Sequence, residues 1–276
     1  MNRMLEARLE EYGRGTPETR THALREILQQ IALYSLSMNG FFESAVFHGG
    51  TELRLIHGLP RFSEDLDFIL SPGGAFSWEP FEEALSITCR NYGLEVSLRR
   101  RKEGRSSLRR LVLTEPSILG PKQGGRNPHL RIRLELDTDP PAGTRAEAAF
   151  MDFPLPFETA VMELSSSFAL KCHALLCRPW EKGRDWFDLL WFCSAGIRPS
   201  GEVLGNAIRQ HGPWAGTDVD VSDSWLRQQL TAKADSIDLA AAAREVSPFL
   251  TAEDRDTLRF WGTPLFRTYI DRIRLD

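Results

Sequence analysis

Apolar residues recur at helical spacing over positions 17–38, where Leu24, Ile27, Leu28, Ile31, Tyr34 and Met38 share one side. Thr16-Pro17 in front of them pairs a capping hydroxyl with a proline at the first helical position, so the pattern predicts an amphipathic helix. A short apolar run, Ala45-Val46-Phe47, stops at Gly49-Gly50 and predicts a strand entering a tight turn. Residues 51–57 then suit a helix that Gly58 and Pro60 end. Leu66, Phe68 and Leu70 alternate with Asp65, Asp67 and Ile69, a strand with one buried and one polar side. A helix is expected over 79–92, strands over 94–98 and 108–113, and a glycine-rich basic loop over 120–128. The cleanest alternation lies at 131–137, with Ile132, Leu134 and Leu136 on one side and charges on the other. After Pro154 and Pro156 the pattern turns helical: 158–178, 183–195 and nearly all of 200–276, with a capping box at Thr251-x-x-Asp254. The expected class is therefore α+β, with a mixed sheet and flanking helices in residues 1–155 and a helical domain in 156–276.

Composition adds little until its distribution is considered. With 42% hydrophobic and 26% charged residues among 276, the chain suits a globular protein of one large or two modest domains. Its charged first eight residues lack the apolar core of a secretion signal, and no stretch is long and apolar enough to cross a membrane. Cys89, Cys172, Cys177 and Cys193 form no C-x-x-C pair, so reduced core thiols and a cytoplasmic location are expected. The net charge is only −4, yet residues 98–133 hold eleven basic side chains against Glu103 and Glu115, a local +9. Such asymmetry suits a polyanion-binding face; it also suits a solvated edge strand kept soluble by arginines. Arg99, Arg100, Arg101, Lys102 and Arg105 are the candidate RNA-binding residues.

The chemistry concentrates at Gly49-Gly50-Thr51 and Asp65-Leu66-Asp67. A glycine turn opening a helix exposes backbone N–H groups to a phosphate without side-chain obstruction, and Thr51 adds a hydroxyl. Carboxylates at i and i+2 on a strand point the same way and suit hard divalent cations such as Mg²⁺ or Mn²⁺. A third carboxylate is expected from a neighbouring strand. Glu135 and Asp137 both qualify; Glu135, in mid-strand, is preferred. Either motif alone is weak; their order, thirteen residues apart, is what carries weight.

The stretch His48-Gly49-Gly50-Thr51-Glu52-Leu53 … Arg61-Phe62-Ser63-Glu64-Asp65-Leu66-Asp67-Phe68 resembles the first motif of the AbiEii/AbiGii-type nucleotidyltransferase toxins. That family is similar to the DNA-polymerase-β-like nucleotidyltransferases, with threonine here in place of the usual serine. Ala169-Leu170-Lys171-Cys172-His173-Ala174-Leu175-Leu176-Cys177-Arg178 … Lys182-Gly183-Arg184-Asp185-Trp186-Phe187-Asp188 resembles the family's later pair of helices, with Leu170 where glycine is usual. Leu134-Glu135-Leu136-Asp137-Thr138 resembles its acidic strand.

The resemblance implies a metal-dependent toxin of a toxin–antitoxin pair that transfers NMP from an NTP to a hydroxyl of RNA, plausibly tRNA. It implies a cognate antitoxin. The implied catalytic set is Asp65, Asp67, Glu135, Lys171 and Asp185, with Gly49, Gly50, Thr51 and Lys171 on the nucleotide and Asp137, Arg184 and Asp188 in support. Lys171, set among apolar neighbours, needs an anionic partner. That partner is a triphosphate on the family reading, or Asp185 or Asp188 on a structural one. Asp185 itself is a base, an orienter of the lysine, or a structural partner of Arg184. His48 and His173 are given no catalytic role. Two rivals stand beside this reading: transfer to a small molecule such as an aminoglycoside, or to protein, and a non-catalytic NTP-binding module.

Overall fold

The computed structural model describes residues 2–13, 15–101, 106–116 and 129–276. Lys102, Arg105 and the glycine-rich 120–128 loop, with Lys122 and Arg126, lie outside the described residues. The chain forms two units, Met1–Asp139 with Glu147–Val161, and Pro140–Ala146 with Met162–Asp276.

The first unit begins with α1 (Arg3–Glu11), a helix the sequence reading did not anticipate. Asn2 caps it by accepting from the Met4 amide, and Leu5 and Leu9, one turn apart, are its buried residues. α2 (Pro17–Met38) has the expected bounds and its Thr16 cap. β1 (Ala45–His48), α3 (Gly49–Leu55), β2 (Leu66–Leu70) and α4 (Glu79–Asn91) follow, again as the pattern predicts. β3 (Ser97–Arg100) starts three residues later than the expected 94–98 strand, while β4 (Leu108–Glu115) and β5 (Leu130–Asp137) keep their places. β6 (Ala146–Met151) and β7 (Phe157–Met162) were missed. The expected 158–178 helix is a strand in its first part, because Phe157, Thr159 and Val161 alternate inward and include two β-branched residues.

Among the described residues the strands form one seven-stranded sheet, ordered β3-β4-β5-β2-β1-β7-β6. β2 runs parallel to β5, whereas β1 and β2, β3 and β4, and β4 and β5 are antiparallel. One side of the sheet presents Phe47, Leu66, Phe68, Leu111, Leu113, Leu134 and Leu136, all buried in the core that α2 and α4 cover. An aromatic cluster thickens this layer: the Phe41 ring lies 4.8 Å from Phe68, 5.2 Å from Phe81 and 5.6 Å from Trp78. Each such pair is worth about 0.5–1.5 kcal/mol beyond the area it buries. The Trp78 indole also donates to the Arg109 carbonyl, tying the start of α4 to β4. The opposite side carries Asp67, Arg110, Arg133 and Glu135, together with the apolar Val46, Ile69 and Val112.

The second unit is helical: α5 (Leu164–Cys177), α6 (Gly183–Ser194), α7 (Gly201–Gln210), α8 (Asp223–Ser236), α9 (Leu239–Val246), α10 (Ala252–Asp256) and α11 (Thr263–Ile270). Ser200, Ser222, Asp238 and Thr251 cap four of these by accepting an amide N–H three residues on. Trp186 and Phe192 are core residues, Phe192 stacked 4.5 Å from Phe168 and Trp186 edge-on to Phe266. All four cysteines are free thiols, and among the described residues no helix is long and apolar enough to cross a membrane.

Gly183 opens α6 where α9 passes so close that a Cβ would stand 1.9 Å from the Ala242 carbonyl oxygen. Backbone cannot step aside as a side chain can. Gly183→Ala is expected to lower the unfolding free energy by about 3 kcal/mol, the upper end for overpacking, measured by chemical denaturation.

Candidate functional site

Two charged clusters bear on function, one in each unit. In the first unit the sheet register assembles the polar side strand by strand. Asp67 pairs with Glu135 across the parallel β2–β5 ladder, with His48 on β1, and Glu135 pairs with Arg110 on β4. Adjacent strands stand about 4.8 Å apart, so these side chains form one row. Asp65 directly precedes β2 and lies in the next row, with Arg133, Val112 and Arg99. Asp137 falls one row further along, beside Ile69, and accepts from the Asp139 amide. Glu135 is thus the direct neighbour of Asp67.

The glycine turn abuts this row. Gly49 has φ +90, a left-handed conformation costly to any side chain, and a Cβ there would stand 2.7 Å from the Asp67 Oδ2 atom. The absence of a side chain is what lets the carboxylate lie against the turn. At Gly50, whose φ is ordinary, a Cβ would stand 2.7 Å from the Arg61 guanidinium and 2.9 Å from Ser63 Oγ, side chains that must shift to admit it. Thr51, expected to offer its hydroxyl to phosphate, instead buries it and donates to the Asp65 carbonyl. Its role in the structure is to fasten the turn to the start of β2. Gln29 of α2 likewise donates to the Ser63 carbonyl at 3.2 Å, holding the approach to Asp65.

Two of the three carboxylates carry arginine partners that the sequence reading had not assigned. Arg133 grips Asp65 with both prongs, Nε to Oδ1 at 2.9 Å and the terminal nitrogen to Oδ2 at 2.5 Å. Those hydrogen bonds raise the guanidinium's pKa above its ordinary value. Arg110 Nε lies 3.0 Å from Glu135 Oε1. For Arg133 a signal was present, since it stands at i and i+2 with Glu135 on one strand face. The partner on β4 became visible only with the register.

The register also divides the arginine run. Arg99 shares the polar side with Arg110, Arg131 and Arg133, and Arg101, whose amide bonds to the Arg110 carbonyl, continues that alternation. Arg100 faces the other way, toward α4, 2.8 Å from Glu82 and 3.9 Å from Glu79. It is paired there with acids of α4, away from the carboxylate row.

The second unit holds the other cluster. Lys171 Nζ lies 2.7 Å from Asp188 and 3.1 Å from Asp185, and Arg178 also bonds Asp185. Both carboxylates are essentially fully buried. Burial alone would raise the pKa of Asp185, but Lys171, Arg178 and Lys182 outweigh it and hold the group below its ordinary value. Burial correspondingly lowers that of Lys182. Arg184 partners Glu245 at 3.0 Å and lies over the Phe249 ring. His173 bonds the His211 carbonyl, and burial lowers its pKa.

Against known proteins, a family model described as "Nucleotidyl transferase AbiEii toxin, Type IV TA system" matches residues 31–272. No curated protein matches the chain. Among solved structures, JHP933 from Helicobacter pylori aligns at a TM-score of 0.48 and 15% identity, over 91% of this chain and 88% of its own. A second H. pylori protein, described as a candidate nucleotidyltransferase, aligns at 0.47 and 16%, over 90% of each.

Removing Lys171 would take a cation from beside two buried carboxylates. Lys171→Met is expected to destabilise the helical unit by about 3–5 kcal/mol, the usual cost of breaking a buried ion pair, seen as a lowered denaturation midpoint.

Proposed function

The chain belongs to the AbiEii nucleotidyltransferase toxin family of type IV toxin–antitoxin systems, and from that premise we propose that it transfers a nucleoside monophosphate from an NTP to a hydroxyl of RNA. Membership carries nucleotidyl transfer, a nucleotide substrate and an antitoxin partner in general terms. The acceptor, the metal and the residue roles are our own reading. The observation that carries it is the row Asp67–Glu135 with Asp65 beside it, reached by the Gly49 turn on one flank and by arginines on the other.

The donor set suits a divalent cation in kind and placement. Three carboxylates on one sheet face offer hard oxygen ligands, two of them direct register neighbours. As their side chains stand, no three acidic, histidine or cysteine groups among the described residues converge at ligand spacing. Asp65 and Glu135 instead point to Arg133 and Arg110. Cation binding would call for these side chains to turn from the arginines. Asp65, Asp67 and Glu135 would hold Mg²⁺ or Mn²⁺, which when bound neutralises charge on the polyphosphate and sharpens the attacking hydroxyl.

The chain's own contributions follow from placement. The turn at Gly49-Gly50 brings backbone close to Asp67 with no side chain between, which suits a triphosphate lying against it. In the transfer, the acceptor oxygen bonds the α-phosphorus, the bond to the bridging oxygen breaks, and pyrophosphate leaves. The acceptor's proton passes to a carboxylate of the set or to water. Arg99, Arg101, Arg110 and Arg131, on the same sheet face, suit the phosphodiester backbone of the acceptor. A small-molecule or protein acceptor would have no use for that extended basic face. The family-based role of Lys171 and Asp185 toward the nucleotide remains a separate proposal, and its test must allow for their structural ion pair.

Incubation with α-labelled NTPs and total RNA is expected to label RNA and release pyrophosphate. Asp65→Ala and Asp67→Asn should lower that turnover at least about 10³-fold, as expected when charge stabilisation at the reacting phosphate is lost. Turnover that survives both changes would sink the catalytic reading, and label in a small molecule without RNA would sink the acceptor. Arg99→Glu should weaken RNA affinity and flatten its salt dependence, each phosphate contact contributing a slope of about 0.7 for single strands. Arg100→Glu should instead lower thermal stability and leave the salt slope as it is, in a filter-binding titration across ionic strengths.

A further inference from the structure

The arginines on the carboxylate row raise a question of order that the proposed chemistry leaves open. Both oxygens of Asp65 are taken by Arg133, one prong each. The Arg133 side chain is 55% exposed and that of Asp65 27%, so the pair is reachable by solvent and exchangeable. Compare the second unit, where the ion pairs of Lys171 with Asp185 and Asp188 are buried and structural. A dication within bonding distance of Asp65 would also stand within a few ångströms of the guanidinium, at an unfavourable Coulomb energy.

We infer that Arg133 is a displaceable counter-ion of the metal site, competing with the divalent cation for the oxygens of Asp65. Arg133 then does three things in turn. It holds Asp65 aimed along the sheet face. It sets a threshold that a cation must overcome. Once displaced, it is left as a positive charge on the same face, available to an anion that arrives with the cation. Because it acts on the reaction through Asp65, it is a positioning residue. The inference rests on the reading of Asp65, Asp67 and Glu135 as metal ligands.

The chain offers its own controls. Arg131 precedes Arg133 by two positions, shares its strand face, is exposed and lies opposite Thr114. Removing it changes the general field to a similar degree without touching a grip on Asp65. Arg133→Lys keeps the charge and loses the fork, since an ammonium cannot bind both oxygens in that geometry.

The test is a titration of the full-length protein with Mn²⁺ alone, free Mn²⁺ being read by electron paramagnetic resonance. Neither nucleotide nor turnover is needed. Partly solvated ion pairs contribute modestly, so Arg133→Gln is expected to bind Mn²⁺ about three- to tenfold more tightly than the wild type. Arg133→Lys should fall between the two, and Arg131→Gln within about twofold of the wild type. Equal or weaker binding by Arg133→Gln overturns the inference, as does an equal gain in Arg131→Gln, which would reduce the effect to general charge. Mn²⁺ binding by Asp67→Ala equal to the wild type's, or none by either wild type or Arg133→Gln, would overturn the underlying metal reading instead, and the inference with it.

Discussion

β2 and β5 run parallel, with Leu66 beside Leu134 and Asp67 beside Glu135, and side chains on a strand alternate between the two faces of the sheet. A slip of one residue between these strands would carry the carboxylates into the aromatic layer around Phe41 and Phe68 and push the leucines into water. The apolar half of the pattern therefore fixes the polar half. Burial of Leu66, Phe68, Leu134 and Leu136 against α2 and α4 is what sets the acids side by side. No polar interaction on the open face is strong enough to do so alone. The ion pairs there are partly solvated and contribute on the order of 1 kcal/mol or less each.

The same dependence explains what could be read beforehand. α2 was legible from its cap, its proline and its long periodicity, and β5 from strict alternation, because both are local signals. The candidate acids followed, since i and i+2 on a strand always share a face. What stayed hidden needed a partner strand. Arg99 and Arg100 are indistinguishable in the sequence, yet one faces the acids and the other faces α4. The hydroxyl of Thr51 looked like a phosphate ligand until the Asp65 carbonyl appeared above it. β7 was taken for helix because its residues adjoin a true helix and its alternation spans only six positions. α1 was overlooked although its cap and its buried leucines were there to be read.

The two charged clusters show how one set of side-chain types serves two ends. Around Lys171, Asp185 and Asp188, burial makes the pairing obligatory: taking away the lysine removes a cation that water cannot replace. Around Asp65 and Glu135, solvent access keeps the pairing negotiable. Chemistry that must admit and release a highly charged substrate is better served by the second kind. A structural pin between helices is better served by the first.

Gly49 and Asp67, eighteen positions apart in the chain, compete for neighbouring space: the carboxylate oxygen stands 2.7 Å from where a Cβ of residue 49 would be, too close for both. Descent inherits that arrangement as a fixed order of loss. On the proposed reading of Asp67, the acid can be given up at once by any lineage that no longer needs the reaction. The glycine cannot, first because the carboxylate crowds its space, and afterwards because its left-handed backbone admits little besides asparagine or aspartate. The glycine should therefore outlast the acid. A chain with glycine at this turn and no carboxylate opposite it would then be legible as an enzyme in retirement.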